Sequence, residues 1–331
     1  MRILDRIETI FAIGGGPGAN RVGGSEGEQR AHDLVAGWCE EAGLAVDVDP
    51  DGNLVAARSD ARVWTGSHLD SVPNGGRFDG VLGVLAGIEA AERLSDLPLA
   101  VVAFRDEERG FGGSLARVRR GPLPDAYVEL HIEQGPTLLR EGRALGVVSA
   151  IVGLARGEVV LEGAAGHAGT TPMTGRSDAL VAAAELVLRV RDAAGSLPGT
   201  VATVGRLEVE PGAENVIPAR VTAGVDARAA DRDRLDRLVA AIGLEPHLRT
   251  EPVAMDEGIR AALREHVEGP ELVSGAGHDA GVLAAAGVRC GMLFVRSVAG
   301  GVSHSPDEWT EPDDVAAAVD ALTATLSSLA K

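Results

Sequence analysis

Leu99-Ala100-Val101-Val102-Ala103-Phe104, followed at once by Arg105-Asp106-Glu107-Glu108, is the stretch that sets the fold class. Six apolar residues without alternation mark a strand buried on both faces, the habit of a sheet covered by helices on each side. Its polar end is equally informative, because open α/β sheets carry their chemistry beyond the carboxyl ends of strands. The neighbours repeat the design. Residues 63–65 form a short strand leading into Gly66-Ser67-His68-Leu69-Asp70, and residues 127–131 form another that ends at His131. Residues 81–94 read as a helix packed by Leu82, Leu85, Ile88 and Ala91. The expected fold is α/β, an open mixed sheet flanked by helices.

Further out, residues 26–42 carry helical periodicity through Ala31, Leu34, Val35, Trp38 and Cys39. Two strand-like runs, 45–48 and 54–57, flank the turn Pro50-Asp51-Gly52-Asn53. Near Gly153 the pattern changes. A strand at 157–163, a helix at 178–194, strands at 201–209 and 220–227, a helix at 231–242 and a strand near 247–255 follow one another. That β-α-β-β-α-β order is the split-βαβ, ferredoxin-like module. Afterwards come a helix at 258–266, a buried strand at 288–294 and a closing helix at 313–329. The expected organisation is therefore a main domain of residues 1–153 and 257–331 with a smaller domain, 154–256, inserted into it.

Composition narrows the function classes. The chain has 331 residues, 45% of them apolar but only 3% aromatic, and a net charge of −18. That charge disfavours nucleic acid and anionic membrane surfaces as partners. Cys39 and Cys290 stand far apart in apolar company and read as buried free thiols of a reducing compartment. The start of the chain lacks a signal-peptide pattern, and no apolar run approaches the roughly 20 residues that span a bilayer. A cytoplasmic protein is expected. Lys331 is the only lysine, which leaves no lysine for Schiff-base or P-loop chemistry.

The chemistry-bearing residues recur at strand ends of the main domain: His68, Asp79, Glu107-Glu108, His131 and His304. Imidazole and carboxylate suit a borderline divalent cation, and the set is large enough for two. Paired cations about 3.5–4 Å apart need a bridging carboxylate and terminal ligands on each side. Asp79, within Gly75-Gly76-Arg77-Phe78-Asp79-Gly80, is the natural bridge. His68 and His131 complete one metal, Glu108 and His304 the other. Glu107 is left uncoordinated as the general base. Asp70, two residues from His68, is placed to orient that imidazole. His32, His247 and His266 lack such company and read as surface residues.

The run from Gly66 to Val84 resembles the metal loop of the M20 metallopeptidase-like amidohydrolases. Within them it is most similar to the N-carbamoyl-L-amino-acid hydrolase and allantoate amidohydrolase branch. His131-Ile132-Glu133-Gln134-Gly135-Pro136, Gly166-His167-Ala168-Gly169-Thr170-Thr171-Pro172-Met173, Ser274-Gly275-Ala276-Gly277-His278-Asp279-Ala280 and Ser303-His304-Ser305-Pro306-Asp307-Glu308 follow in the family's order. The resemblance implies a zinc-peptidase-like catalytic domain and the same ligand set, with Glu107 as base. It implies that His167 reaches across a homodimer to substrate or oxyanion, and that Asn215 and Arg228 contact the substrate carboxylate. Gln134 matches a further active-site polar group, while His278 and Asp279 support the metal loop from behind. Two divalent ions, zinc or manganese with cobalt or nickel as alternatives, are implied. So is a lid and dimer-forming role for the small domain.

The activity so implied is hydrolysis of the linear ureido C–N bond of a small carboxylate substrate, an N-carbamoyl-L-amino acid or allantoate. The rival readings are a dipeptidase or aminopeptidase of the same superfamily, and a small-molecule-binding protein without turnover. Compared with the family pattern, the chain is short before Gly24 and between His266 and Leu272. The turn Arg109-Gly110-Phe111 is one residue shorter, and Arg296 stands where proline is common.

Overall fold

A computed structural model describes residues 2–331, and it divides the chain into two compact units, Met1–Ile151 with Ala254–Lys331, and Val152–Val253. The larger unit begins with α1 (Arg2–Phe11), α2 (Glu26–Glu41), β1 (Ala45–Val48), β2 (Leu54–Ala57), β3 (Val63–His68), α3 (Val81–Arg93), β4 (Leu99–Phe104), α4 (Gly112–Arg120), β5 (Ala126–Ile132), α5 (Thr137–Glu141) and β6 (Leu145–Ile151). The smaller holds β7 (Gly153–Glu162), α6 (Ala179–Ser196), β8 (Thr200–Glu210), β9 (Arg220–Ala229), α7 (Arg232–Ile242) and β10 (Pro246–Thr250). The chain then continues through β11 (Val253–Ala254), α8 (Glu257–Arg264), β12 (Glu271–Ser274), α9 (Asp279–Ala285), β13 (Arg289–Val295) and α10 (Pro312–Leu329).

The large sheet is mixed. Its order is β1-β2-β4-β3-β5-β13-β6-β11, with β12 beside β6. The pairs β4–β3, β3–β5 and β5–β13 are parallel, whereas β1–β2, β2–β4 and β13–β6 are antiparallel. Every residue of β3, β4 and β5 is buried, as in a sheet covered on both faces. Parallel register brings their carboxyl ends level: His68 lies opposite Phe104, and Thr65 opposite Val128. Among the described residues the β3–β5 ladder stops at that last pair, three residues before His68 and His131. The strands part there, and the N-terminus of α3 closes over the gap.

The helices bury the stripes their sequences carry. In α1, Ile3, Ile7 and Ile10 follow the i, i+4, i+7 spacing and join the main core with Leu82, Leu85 and Ile88 of α3 and Leu322 of α10. Cys39 and Cys290 are both buried and free. Among the described residues, no helix is long and apolar enough to cross a membrane.

In the smaller unit the strands form one antiparallel sheet in the order β10-β7-β9-β8. The two helices pack on one of its faces through Leu186, Val190, Leu235, Leu238 and Ile242. Alternating burial along β9 follows from that one-sided cover.

One expectation is corrected here. His32 is not a surface residue; it is 3% exposed on the inner face of α2, in register with Val35 and Cys39. Among the described residues neither ring nitrogen finds a partner. Burial chiefly, then the nearby Arg105, lowers its pKa to about 3, against a smaller opposing pull from Asp70. The unfolded chain therefore takes up a proton near pH 6.5 that the folded protein refuses. This contribution to stability is full above pH 6.5 and is lost as pH falls toward 3. Relative to a His32→Leu variant, the parent is expected to lose about 2 kcal/mol more unfolding free energy between pH 7.5 and pH 5. Urea titrations of both proteins at the two pH values measure this, and parallel losses would contradict it.

Candidate metal centre

Where β3 and β5 part, three imidazoles and the Glu107–Glu108 carboxylates gather around Asp79. Asp79 Oδ1 lies 3.5 Å from His68 Nε2 and 3.2 Å from His131 Nε2. Its other oxygen, Oδ2, lies 3.3 Å from His304 Nε2, which in turn is 3.4 Å from Glu108 Oε2. Two triplets with cation-binding spacing, His68–Asp79–His131 and Asp79–Glu108–His304, thus share one carboxylate. Glu107 belongs to neither triplet, although its Oε2 stands 3.9 Å from His68 Nε2.

The loops are shaped for this convergence. Gly80 has φ 66°, and a Cβ there would fall within 2.6 Å of the His68 ring, so only glycine lets Asp79 and the imidazole approach. Gln134 and His304 also adopt positive φ, 55° each, a conformation held by their contacts and not by preference. Asp70 serves two groups. Its carboxylate lies 3.3 Å from His68 Nδ1 and accepts the backbone N–H groups of Glu107 and Glu108, each at 3.1 Å. One buried acid thereby orients an imidazole and pins the acidic pair.

Gln134 donates its amide to Asp79 Oδ2 at 2.9 Å. His278 sits behind the centre, with its Nε2 2.7 Å from Ser274 Oγ and its ring edge-on to His131, centroids 4.6 Å apart. Asp279 is fully buried at the start of α9; burial first, and then Glu129, push its carboxyl up to about 8.

The residues fit a pair of divalent cations. His131 Nδ1 lies 3.0 Å from the Ile132 carbonyl, which can only accept, so Nδ1 carries a proton and Nε2, 3.2 Å from Asp79 Oδ1, is the nitrogen a cation would take. Glu108 Oε1 is buried without a partner among the described residues. Positive charge is favoured on His68, His131 and His304, whereas burial and then His131 hold His278 well below the usual imidazole range. Burial opposes ionisation of His68, yet Glu107, Asp70 and Asp79 together raise its pKa well above the usual value. Burial likewise works against ionised Asp79, but hydrogen bonds from His131, His304 and His68 hold it well below the ordinary carboxylate range. Glu107 goes the other way. Burial lifts it well above its usual value, opposed by His68 and reinforced by Asp279, Glu108 and Asp79.

Three buried charged residues beside the centre carry no role in the sequence reading. Glu129, two residues before His131 on β5, accepts from the Ser67 hydroxyl at 2.6 Å and from Ala280 N at 2.9 Å. It forms a third grouping with His131 and His278. Arg21 is wholly buried and donates Nε to the Leu69 carbonyl at 2.8 Å, bracing the loop after His68. Glu308 is tied to the Asp79 loop. The period of two along β5 would have located Glu129; Glu308 ends the Ser303–Glu308 run of the resemblance without a role there, and no local signal marks Arg21.

The smaller unit positions the remaining candidates. His167 is bridged to Val216, and Ala168 N donates to the Asn215 carbonyl at 3.0 Å, so His167 and Asn215 sit together. Arg176 fastens their turn by donating to the Ala168 and Thr171 carbonyls at 2.8 and 2.6 Å. The His167 Nδ1 accepts from Gly169 N at 3.0 Å, which puts the ring proton on Nε2. Arg228 is not brought to them. It lies near the other end of β9, opposite Leu154 and bonded to Asp226 at 2.8 Å. From Arg220, at the His167 end, β9 extends roughly 26 Å to Arg228.

Residues 64–328 match the model of Peptidase family M20/M25/M40. The chain is 37% identical to an N-carbamoyl-L-amino acid amidohydrolase of Geobacillus stearothermophilus, covering 100% of this chain and 98% of that protein. It is 35% identical to an allantoate amidohydrolase of Bacillus subtilis (strain 168), over 87% of each. A crystal structure of an amidase of the hydantoinase/carbamoylase family from Burkholderia multivorans superposes with a TM-score of 0.89 at 33% identity, covering 99% of this chain and 97% of that one. The chain belongs to the M20/M25/M40 peptidase family, and relatives named as amidohydrolases match it over most of their length.

Proposed function

We propose that this protein hydrolyses the linear ureido C–N bond of a small carboxylate-bearing substrate, an N-carbamoyl-L-amino acid or allantoate. The observation that carries the reading is the sharing of Asp79 between two ligand triplets with Glu107 beside them and in neither. His68, Asp79 and His131 would hold one divalent ion, and Asp79, Glu108 and His304 the other. Zinc or manganese suits these nitrogen and oxygen donors, as do cobalt and nickel. Such ions, when bound, polarise the scissile carbonyl and make water a better nucleophile.

The chain's own groups do the rest. Glu107 takes the proton of the attacking water and returns it to the leaving nitrogen, a task matched by its raised pKa. Asp70 keeps that carboxylate and the His68 ring in place, and Gln134 steadies Asp79. His167 presents an Nε2–H donor for the oxyanion. Arg228 offers a planar fork for the substrate carboxylate. Within the smaller unit Asn215 sits with His167 and not with Arg228.

The separation of His167 from Arg228 within one small unit favours a homodimer in which each copy lends His167 and Asn215 to the other. Exposed apolar residues support this: Val181 and Leu188 on α6 are 55% and 50% exposed, and Val201 on the edge strand β8, on the sheet face away from the helices, is 61% exposed. The small unit would then be both lid and dimer-forming element. A cytoplasmic setting agrees with two buried free thiols.

A panel of allantoate, N-carbamoyl-L-amino acids and dipeptides, each assayed with zinc, manganese, cobalt or nickel, tests the assignment. Ammonia release from a ureido acid, with kcat/KM at least about 100-fold above any dipeptide cleavage, is the expected result. Faster dipeptide cleavage would make the protein a peptidase. Binding without hydrolysis of any compound would make it a ligand-binding protein.

A further inference from the structure

We propose that Glu308 is the positioning residue that locks the two halves of the metal centre together, an inference that rests on the two-cation reading above. Glu308 is 1% exposed, and both of its oxygens are committed. Oε1 accepts from Phe78 N at 2.8 Å and from Asp79 N at 3.1 Å. Oε2 accepts from the Ser303 hydroxyl at 2.8 Å. Asp79 is the ligand common to both triplets, and Ser303 immediately precedes His304. One carboxylate therefore spans two loops whose sequence positions differ by more than two hundred residues.

The surroundings are built for this contact. A Cβ on Gly76 would fall 2.0–2.1 Å from the Glu308 carboxyl atoms, so the glycine admits the carboxylate to the loop backbone. The Ser303 hydroxyl also stands 3.3 Å from Asp79 Oδ2, and Gln134 Nε2 reaches both Asp79 and Ser303. His304 depends on this scaffold more than the other ligands do. Its side chain is 48% exposed, and its backbone has φ 55°. His68 and His131, by contrast, are fixed at the ends of buried strands. Loss of Glu308 would free Asp79 N and Ser303 at once and let the His304 loop drift, loosening the Asp79–Glu108–His304 triplet before the other.

The test is zinc binding, followed by elemental analysis and by competition with a chromogenic chelator, on parent, Glu308→Ala, Glu308→Gln and Ser303→Ala. The parent is expected to hold two ions per chain. In Glu308→Ala the weaker-held ion should lose about 10–100-fold in affinity while the tighter one stays within a few-fold of parent. Its kcat should fall with little change in KM, since ligand geometry and not substrate contact is disturbed. Glu308→Gln keeps an oxygen for the two backbone donors, and Ser303→Ala breaks only the hydroxyl link. Each should lie between parent and Glu308→Ala.

Parental affinity for both ions in Glu308→Ala would overturn the proposal, as would equal weakening of both. Should that variant fail to fold, parental affinity for both ions in Glu308→Gln and Ser303→Ala would overturn it. A parent that never holds more than one ion would instead defeat the two-cation reading itself.

Discussion

Replacing Glu107 by Gln is expected to lower kcat about 10³-fold while leaving the metal content of the protein at the parental level. The amide keeps the size of the carboxylate and removes only its ability to accept and return a proton. The backbone contact that positions residue 107, its N–H on Asp70, is untouched. Neither triplet contains Glu107, so its loss should not release an ion. Glu108→Gln makes the contrast, because Glu108 faces His304 across the second triplet at 3.4 Å and its loss should deplete metal. Elemental analysis of both variants beside steady-state kinetics separates the two roles. Metal loss in Glu107→Gln would make Glu107 a ligand, and near-parental turnover would remove it from proton transfer.

Much of this centre was legible because strands declare themselves locally. An unbroken apolar run locates β4, and the polar residues that end β4 and β5 are where an open sheet exposes its chemistry. His68 belongs to β3 itself, three residues beyond the expected end of that strand, because Gly66 and Ser67 carry no apolar signal although they are buried. Helix α4 carries no clear sequence signal for a related reason. It opens with two glycines after Phe111 in the left-handed region, a beginning that reads as a loop.

His32 is a different kind of miss. The stripe through Val35 and Cys39 places it inward, and here the helical period outweighs the polarity of a histidine without an obvious partner. The roles of Glu308 and Arg21 lie beyond a local reading, although Glu308 ends the Ser303–Glu308 run. Their importance arises from contacts with Phe78, Asp79 and Leu69 across 48 to 230 positions, which no local window of the sequence records. Asn215 and Arg228 both came from family resemblance, and the resemblance could not say that one small sheet holds them at opposite ends.

That separation leads to the second large effect, which appears only when two inactive proteins are combined. His167→Ala removes a single oxyanion donor and should cost about 10²–10³-fold in kcat, while Glu107→Gln disables proton transfer. If His167 serves the site of another copy, a dimer of one His167→Ala chain and one Glu107→Gln chain contains one intact site. That site combines Glu107 of the first chain with His167 of the second, and the other site carries both lesions. Random pairing makes half the dimers mixed, with one working site of two, so co-expression should restore about a quarter of parental activity. Each chain, differently tagged, can be followed through tandem purification, and the doubly selected mixed dimer should reach about half. The rigid turn that Arg176 holds around His167 keeps the donor presented whichever copy it serves. A mixture no more active than its two parts would place His167 in its own chain's site. Parental activity of His167→Ala alone would take this histidine out of the reaction.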